Sequence, residues 1–164
     1  METAPPLARR RPLRRFDSPE QETYLTLWRA YDRLRALEDE VFAAWELTAQ
    51  QYNLLRLLRA EQPRAVPTLT LAARLVSRAP DITRMLDKLA ARGLVERQRT
   101  ESDRRAVLVT ITAAGLELLR QLREPLRRCH LRQLGHMAPD ELHELTRLLR
   151  KAGQPHEPED SPWR

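Results

Sequence analysis

Apolar positions recur at helical spacing over most of the chain and change to simple alternation in one short stretch. Leu27, Tyr31, Leu34, Leu37 and Val41 mark a first helix over 18–45, with Ser18 and Pro19 as N-cap and first-turn proline. Thr48 and Gln51 match a capping box that opens a second helix, whose Tyr52, Leu54, Leu55, Leu57 and Leu58 face inward. Pro63 and Pro67 bound the following loop, and Thr68 is placed to cap a third helix burying Leu71, Ala72 and Leu75. A fourth begins at Pro80, buries Ile82, Met85, Leu86 and Leu89, and stops at Gly93, a residue suited to a left-handed C-terminal position. Residues 95–100 and 106–112 alternate polar and apolar side chains, the pattern of a half-exposed hairpin. Thr112 caps a fifth helix running to about Leu134, which Pro125 is expected to kink or break. A sixth helix runs from Pro139 to Lys151 with Leu142, Leu145, Leu148 and Leu149 on one side.

This order predicts a mainly α protein with a small β-hairpin wing, a winged helix-turn-helix carrying long dimerisation helices. Two short helices split by a three-residue turn, followed by a basic hairpin, form a device that sets one helix in the DNA major groove and one arginine beside it. Helices one, five and six hold more leucine than one small winged unit covers, and a helical dimer interface is the simplest use for it. Residues 1–16 read as a disordered basic arm and 153–164 as a disordered acidic tail. The folded region is expected over 17–152, with the winged unit at about 48–112 and dimerisation helices at about 18–45 and 112–151.

Charge strengthens this picture without deciding it. The 164 residues carry a formal net charge of +6, which suits an anionic partner but also merely keeps a protein soluble. Lys88 and Lys151 are the sole lysines, so the cations are almost all guanidinium groups, which match phosphate oxygens and guanine edges. A single cysteine, Cys129, excludes an internal disulfide and a cysteine-based zinc site. His130, His136, His143 and His156 form no convincing ligand set, and no cofactor is expected. No apolar run approaches membrane-spanning length and no N-terminal signal region is present, so a cytoplasmic protein is expected. The sequence has no nucleophile elbow, glycine-rich phosphate loop or paired-carboxylate motif, which argues against an enzyme.

Several residues in register resemble the MarR family of transcriptional regulators. They are Leu71-Ala72, Ile82-Thr83-Arg84, Leu86-Asp87-Lys88-Leu89, Gly93-Leu94-Val95-Glu96-Arg97, Asp103-Arg104-Arg105, and Ile111-Thr112 with Gly115. The resemblance covers roughly residues 20–150. It implies a homodimer whose winged lobes flank a helical dimerisation region. It further implies binding to double-stranded DNA at pseudo-palindromic operators, frequent repression, and release by a small phenolic or lipophilic effector or by thiol oxidation. Two departures stand out. The family usually has Ser or Thr near the start of the recognition helix, where this chain has Ala79, Pro80 and Asp81. The urate-responsive branch has a Trp-Asp pair and an arginine where this chain has Tyr52-Asn53 and Met85, so urate is not carried over.

The candidate DNA contacts follow from these positions. Arg84 and Lys88 share the helix-four face opposite the leucines, with Asp81 and Thr83 near its N-terminal end. Arg78 and Arg84 are candidates for base edges or nearby phosphates, Thr83 and Lys88 for the DNA backbone. Ser77 and Pro80 stand at the helix start, with Ser77 close enough to help cap it. Asp81 suits the helix dipole but repels phosphate unless it accepts from cytosine or braces an arginine. The resemblance assigns Arg105 to the minor groove, where a narrow groove strengthens the negative potential. Arg104 is read as a phosphate contact, and Asp103 as structuring the wing by pairing with Arg97 or a wing arginine. Arg97 and Arg99 share one strand face, open either to DNA or to a cross-strand ion pair. Trp28, Tyr31, Trp45 and Tyr52 pack a dimer interface or, alternatively, wall an effector pocket. Cys129 beside His130 is the candidate for a redox-sensing alternative. A winged-helix adaptor that contacts protein instead of DNA is the other.

Overall fold

A computed structural model describes residues 16–76, 81–99, 107–159 and 161, with only the backbone of Arg99. It falls into two compact units that divide between Arg35 and Ala36. Residues 1–15, read from sequence as a disordered arm, lie outside the described residues.

Helix α1 (Pro19–Ala43) starts in the first unit. The Gln21 amide donates to Ser18 Oγ at 3.2 Å and the Asp17 amide to Gln21 Oε1 at 2.7 Å, so two backbone donors left over at the helix start are satisfied. Tyr24, Trp28 and Tyr31 follow at i, i+4 and i+7 and are exposed at 62%, 59% and 57%, large apolar surfaces without cover in the single chain.

The second unit takes the last residues of α1, then α2 (Ala49–Glu61), β1 (Val66–Pro67), α3 (Thr68–Arg74), α4 (Ile82–Ala91), β2 (Val95–Arg99), β3 (Val107–Ile111), α5 (Ala113–Leu134) and α6 (Pro139–Gly153). The capping box at Thr48 and Gln51 is present in both directions. Leu54, Leu55 and Leu58 of α2 meet Leu71 of α3, Leu86 and Leu89 of α4, Val109 of β3 and Leu122 of α5 in one core, all but fully buried. The three strands are antiparallel in the order β1-β3-β2, with Val95 opposite Ile111 and Val66 opposite Val109.

Four features differ from the sequence reading. The hairpin gains a third strand, because Val66 is buried against β3 at the edge, and an edge is where Pro67, lacking an N–H, is tolerated. Thr68 does not cap α3; its hydroxyl donates to the Val107 carbonyl at 3.0 Å and ties the start of α3 to the sheet. Helix α4 begins at Ile82, after an Asp81 N-cap, and not at Pro80. Helix α5 runs through Pro125 without a break. Leu118, Leu122, Leu126 and Cys129 form a buried stripe that crosses the proline. Burying each leucine contributes about 2 kcal/mol, so the stripe outweighs the ~3 kcal/mol a mid-helix proline costs.

Helix α6 has no buried residue, and its Leu148 and Leu149 are exposed at 46% and 43%. The chain then forms a single 3-10 turn, Gln154–His156, within the stretch expected as tail.

Candidate nucleic-acid interface

Helix α4 is positioned by what it buries. Met85, Leu86 and Leu89 face the core, which leaves Thr83, Arg84, Asp87 and Lys88 on the solvent side. The Asp81 carboxylate accepts the Arg84 backbone N–H at 2.8 Å. Asp81 is therefore a helix cap, the role left open by a sequence lacking Ser or Thr at 79–81. Its carboxylate is engaged with backbone, and its negative charge sits at the positive end of the helix dipole.

The far end of α4 closes in a Schellman turn. Leu94 N–H donates to the Leu89 carbonyl at 3.0 Å and Gly93 N–H to the Ala90 carbonyl at 2.8 Å. Gly93 has φ of +67°, the left-handed conformation this turn needs. From there the chain enters β2, whose Arg97 guanidinium pairs with the Asp87 carboxylate of α4. The recognition helix and the wing's first strand are thus braced to each other by an ion pair. By sequence Arg97 reads as a DNA contact or a cross-strand partner, and nothing there points to Asp87 as the group it meets. Ten residues separate the pair, and neither helical nor strand periodicity indicates that they meet.

The root of the wing is fastened to α5. Thr112 N–H donates to the Leu94 carbonyl at 3.1 Å, its hydroxyl donates to the Gly93 carbonyl at 2.7 Å, and that same oxygen accepts Gly115 N–H at 3.1 Å. Gly115 packs so closely on this root that an added Cβ would lie 2.7 Å from Ile111 Cγ1 and closer still to the Leu94 carbonyl oxygen.

Thr83, Arg84 and Lys88 are all exposed on α4. Among the described residues no side chain holds the Arg84 guanidinium. Ser77, Arg78, Pro80, Asp103, Arg104 and Arg105 lie outside the described residues, as does the Arg99 side chain.

The aromatic candidates divide between the two units. Trp28 lines an open depression with Phe16, Leu25, Thr26, Arg29 and Asp32 in the first, where Tyr31 also lies. Trp45 and Tyr52 belong to the second, half-buried against its core. The Tyr52 ring stands 5.1 Å from that of Phe42, with the Arg56 guanidinium 6.0 Å over its face.

Cys129 is buried, and its thiol donates to the Leu37 carbonyl at 3.5 Å. Burial pushes the thiol up from its ordinary value, and Glu38 adds to the effect, so the reactive thiolate is disfavoured. Native protein treated with iodoacetamide at pH 8 should therefore be alkylated at Cys129 far more slowly than protein unfolded in guanidinium. Mass spectrometry reads this directly, and equal rates in the two states would contradict the buried placement.

A recognition-type helix capped at one end, braced to a hairpin and backed by leucines, defines a winged helix-turn-helix protein. Comparison with known proteins gives the family. The MarR family model matches residues 47–107. A MarR transcription factor from Planctomyces limnophilus is 58% identical, with a TM-score of 0.67 over 82% of this chain and 98% of that one. BpsR of Bordetella bronchiseptica, whose DNA binding is regulated by 6-hydroxynicotinic acid, is 26% identical, with a TM-score of 0.73 over 80% of this chain and 98% of that one. The transcriptional repressor MprA of Escherichia coli is 29% identical over 142 residues, 83% of this chain and 80% of MprA. The chain belongs to the MarR family and is a transcriptional regulator. No helix among the described residues is long and apolar enough to cross a membrane.

Proposed function

We propose that this protein is a cytoplasmic repressor that binds a pseudo-palindromic DNA operator as a homodimer and is released by a small aromatic or lipophilic effector. The observation that carries the reading is the exposed Thr83, Arg84 and Lys88 face of α4, held by the Asp81 cap and the Asp87–Arg97 brace. In this reading Arg84, with Arg78, meets base edges, Thr83 and Lys88 meet the DNA backbone, and Arg105 enters the minor groove beside a phosphate contact from Arg104. Arg97 serves by holding the wing against α4. The same reading counts Ser77, Pro80 and Arg99 among the DNA contacts and gives Asp103 the role of structuring the wing.

The homodimer is supported by uncovered apolar surface at both ends of the chain: Tyr24, Leu27, Trp28 and Tyr31 on α1, and Leu148 and Leu149 on α6. Such surface on a water-soluble regulator marks an interface. Effector control rests on the aromatic groups of Trp28, Tyr31, Trp45 and Tyr52 and on the regulation of BpsR, repression on the likeness to MprA. The buried thiol of Cys129 disfavours the redox alternative.

Binding-site selection from a randomised duplex library, followed by footprinting and measurement of the mass of the complex, tests the reading. The expected result is a dimer protecting two half-sites about one helical turn, ~34–36 Å, apart. A monomer that selects no sequence would support the adaptor reading instead. Release by peroxide in the wild type but not in Cys129→Ser, with no response to phenolic carboxylates, would replace the effector with a redox signal.

A further inference from the structure

Arg92, at the C-terminal end of α4, does not point along its own helix end. Its Nη1 donates to the Glu46 carbonyl at 2.7 Å and its Nη2 to the Trp45 carbonyl at 3.1 Å. Those carbonyls belong to the turn that closes α1. There the Leu47 N–H donates to the Phe42 carbonyl and the Glu46 N–H to the Ala43 carbonyl, both at 3.1 Å, another Schellman turn. Its left-handed position, usually glycine, is held by Glu46 with φ of +52°, at a steric cost that glycine would avoid.

The arrangement has a clear electrostatic logic. A helix C-terminus carries about half a negative charge on unsatisfied carbonyls, and the last turn of α1 has no basic residue of its own. Arg92 supplies that cation from another element. Its planar fork spans two successive carbonyls, which a lysine's point charge does not do. The α1 turn is in turn seated in the core by Phe42, packed on Tyr52, and by Leu47. Arg92 is therefore a direct link between the recognition helix and the turn that carries Trp45.

We propose that Arg92 is a positioning residue for DNA binding: through its two bonds to the α1–α2 turn it sets the recognition helix for the groove and passes the setting of that turn to it. This rests on the DNA-binding reading above. It predicts that the turn and the operator sense each other, since coupling between two sites is reciprocal.

The test uses full-length wild type, Arg92→Gln and Arg92→Lys with a duplex selected by the wild type. Arg92→Gln is expected to weaken binding about tenfold, the loss expected when one charged hydrogen bond of preorganisation is forfeited. The slope of log affinity against log salt should stay unchanged, because no phosphate contact is removed. Arg92→Lys should restore only part of the loss. Hydrogen exchange over residues 44–48 should slow on duplex addition in wild type and not in Arg92→Gln. A slope reduced by about one would make Arg92 a phosphate contact and overturn the proposal. So would unchanged affinity, or a stability loss large enough to account for the weaker binding. If the wild type selects no duplex, the DNA-binding reading itself fails and takes this inference with it.

Discussion

Arg84→Ala is expected to relax base preference at one position in each half-site and to cost ~1–3 kcal/mol of specific binding where the guanidinium makes a bidentate base contact. Arg84 lies on the exposed face of α4, its backbone N–H is held by Asp81, and among the described residues no side chain holds its guanidinium. An exposed side chain on so fixed an anchor is placed to reach a groove. Arg105→Ala should behave differently. A minor-groove arginine reads potential more than sequence, so its loss should weaken every duplex and lower the salt slope by about one. Competition binding against single-base operator variants, repeated at several salt concentrations, separates the two effects. If both variants lose affinity equally for all sequences, Arg84 does not read bases. Asp87→Ala provides a useful contrast, since it frees Arg97 from its brace without removing a group assigned to DNA.

Gly115→Ala should be among the most destabilising single-methyl additions in the chain. The new Cβ would meet a backbone carbonyl, that of Leu94, and the Ile111 side chain at 2.7 Å, and the carbonyl has no rotamer by which to retreat. Overpacking of this kind costs ~1–3 kcal/mol and occasionally more. For a chain of this length the Tm should fall by roughly 5–10 °C. Gly93→Ala is the informative partner. Nothing lies within 4 Å of its missing Cβ, but its φ is +67°, so its cost is conformational and close to ~1 kcal/mol. Thermal denaturation followed by circular dichroism compares them. If Gly115→Ala melts with the wild type, the start of α5 yields easily and the wing root is not fixed as described. Operator binding by Gly115→Ala at a temperature where it stays folded would further show whether a displaced root misaligns the wing.

Much of this architecture was legible in the sequence because its signals are local. A capping box at Thr48 and Gln51, the leucine spacing of α2 and α4, Gly93 after a helix and Thr112 before one each act over four residues or fewer, and the folded chain keeps all of them. The class of site was legible too, since the exposed face of α4 follows from which residues its leucine stripe buries. What remained hidden depended on groups far apart in the chain. The pairing of Asp87 with Arg97, the reach of Arg92 to the α1 turn, and the hydroxyl of Thr68 on Val107 leave no periodic trace. Side-chain chemistry permits each of these bonds with many partners, and only packing selects one.

Competition between local preference and packing decided the rest. Pro125 disfavours a helix over a few residues, yet a stripe of leucines on both sides of it gains more by continuing, and α5 is unbroken. Val66 and Pro67 are too short a run to show alternation, and become a strand because β3 offers a free edge. Asp81 reads from sequence as a first-turn acid facing DNA, and becomes the cap once the helix start is fixed at Ile82. The sequence by itself determined the order of helices, the winged recognition unit and its basic character, through periodicity and local capping. Tertiary structure alone decided how that unit is braced, because ion pairs and hydrogen bonds between distant residues depend on the geometry the whole core imposes.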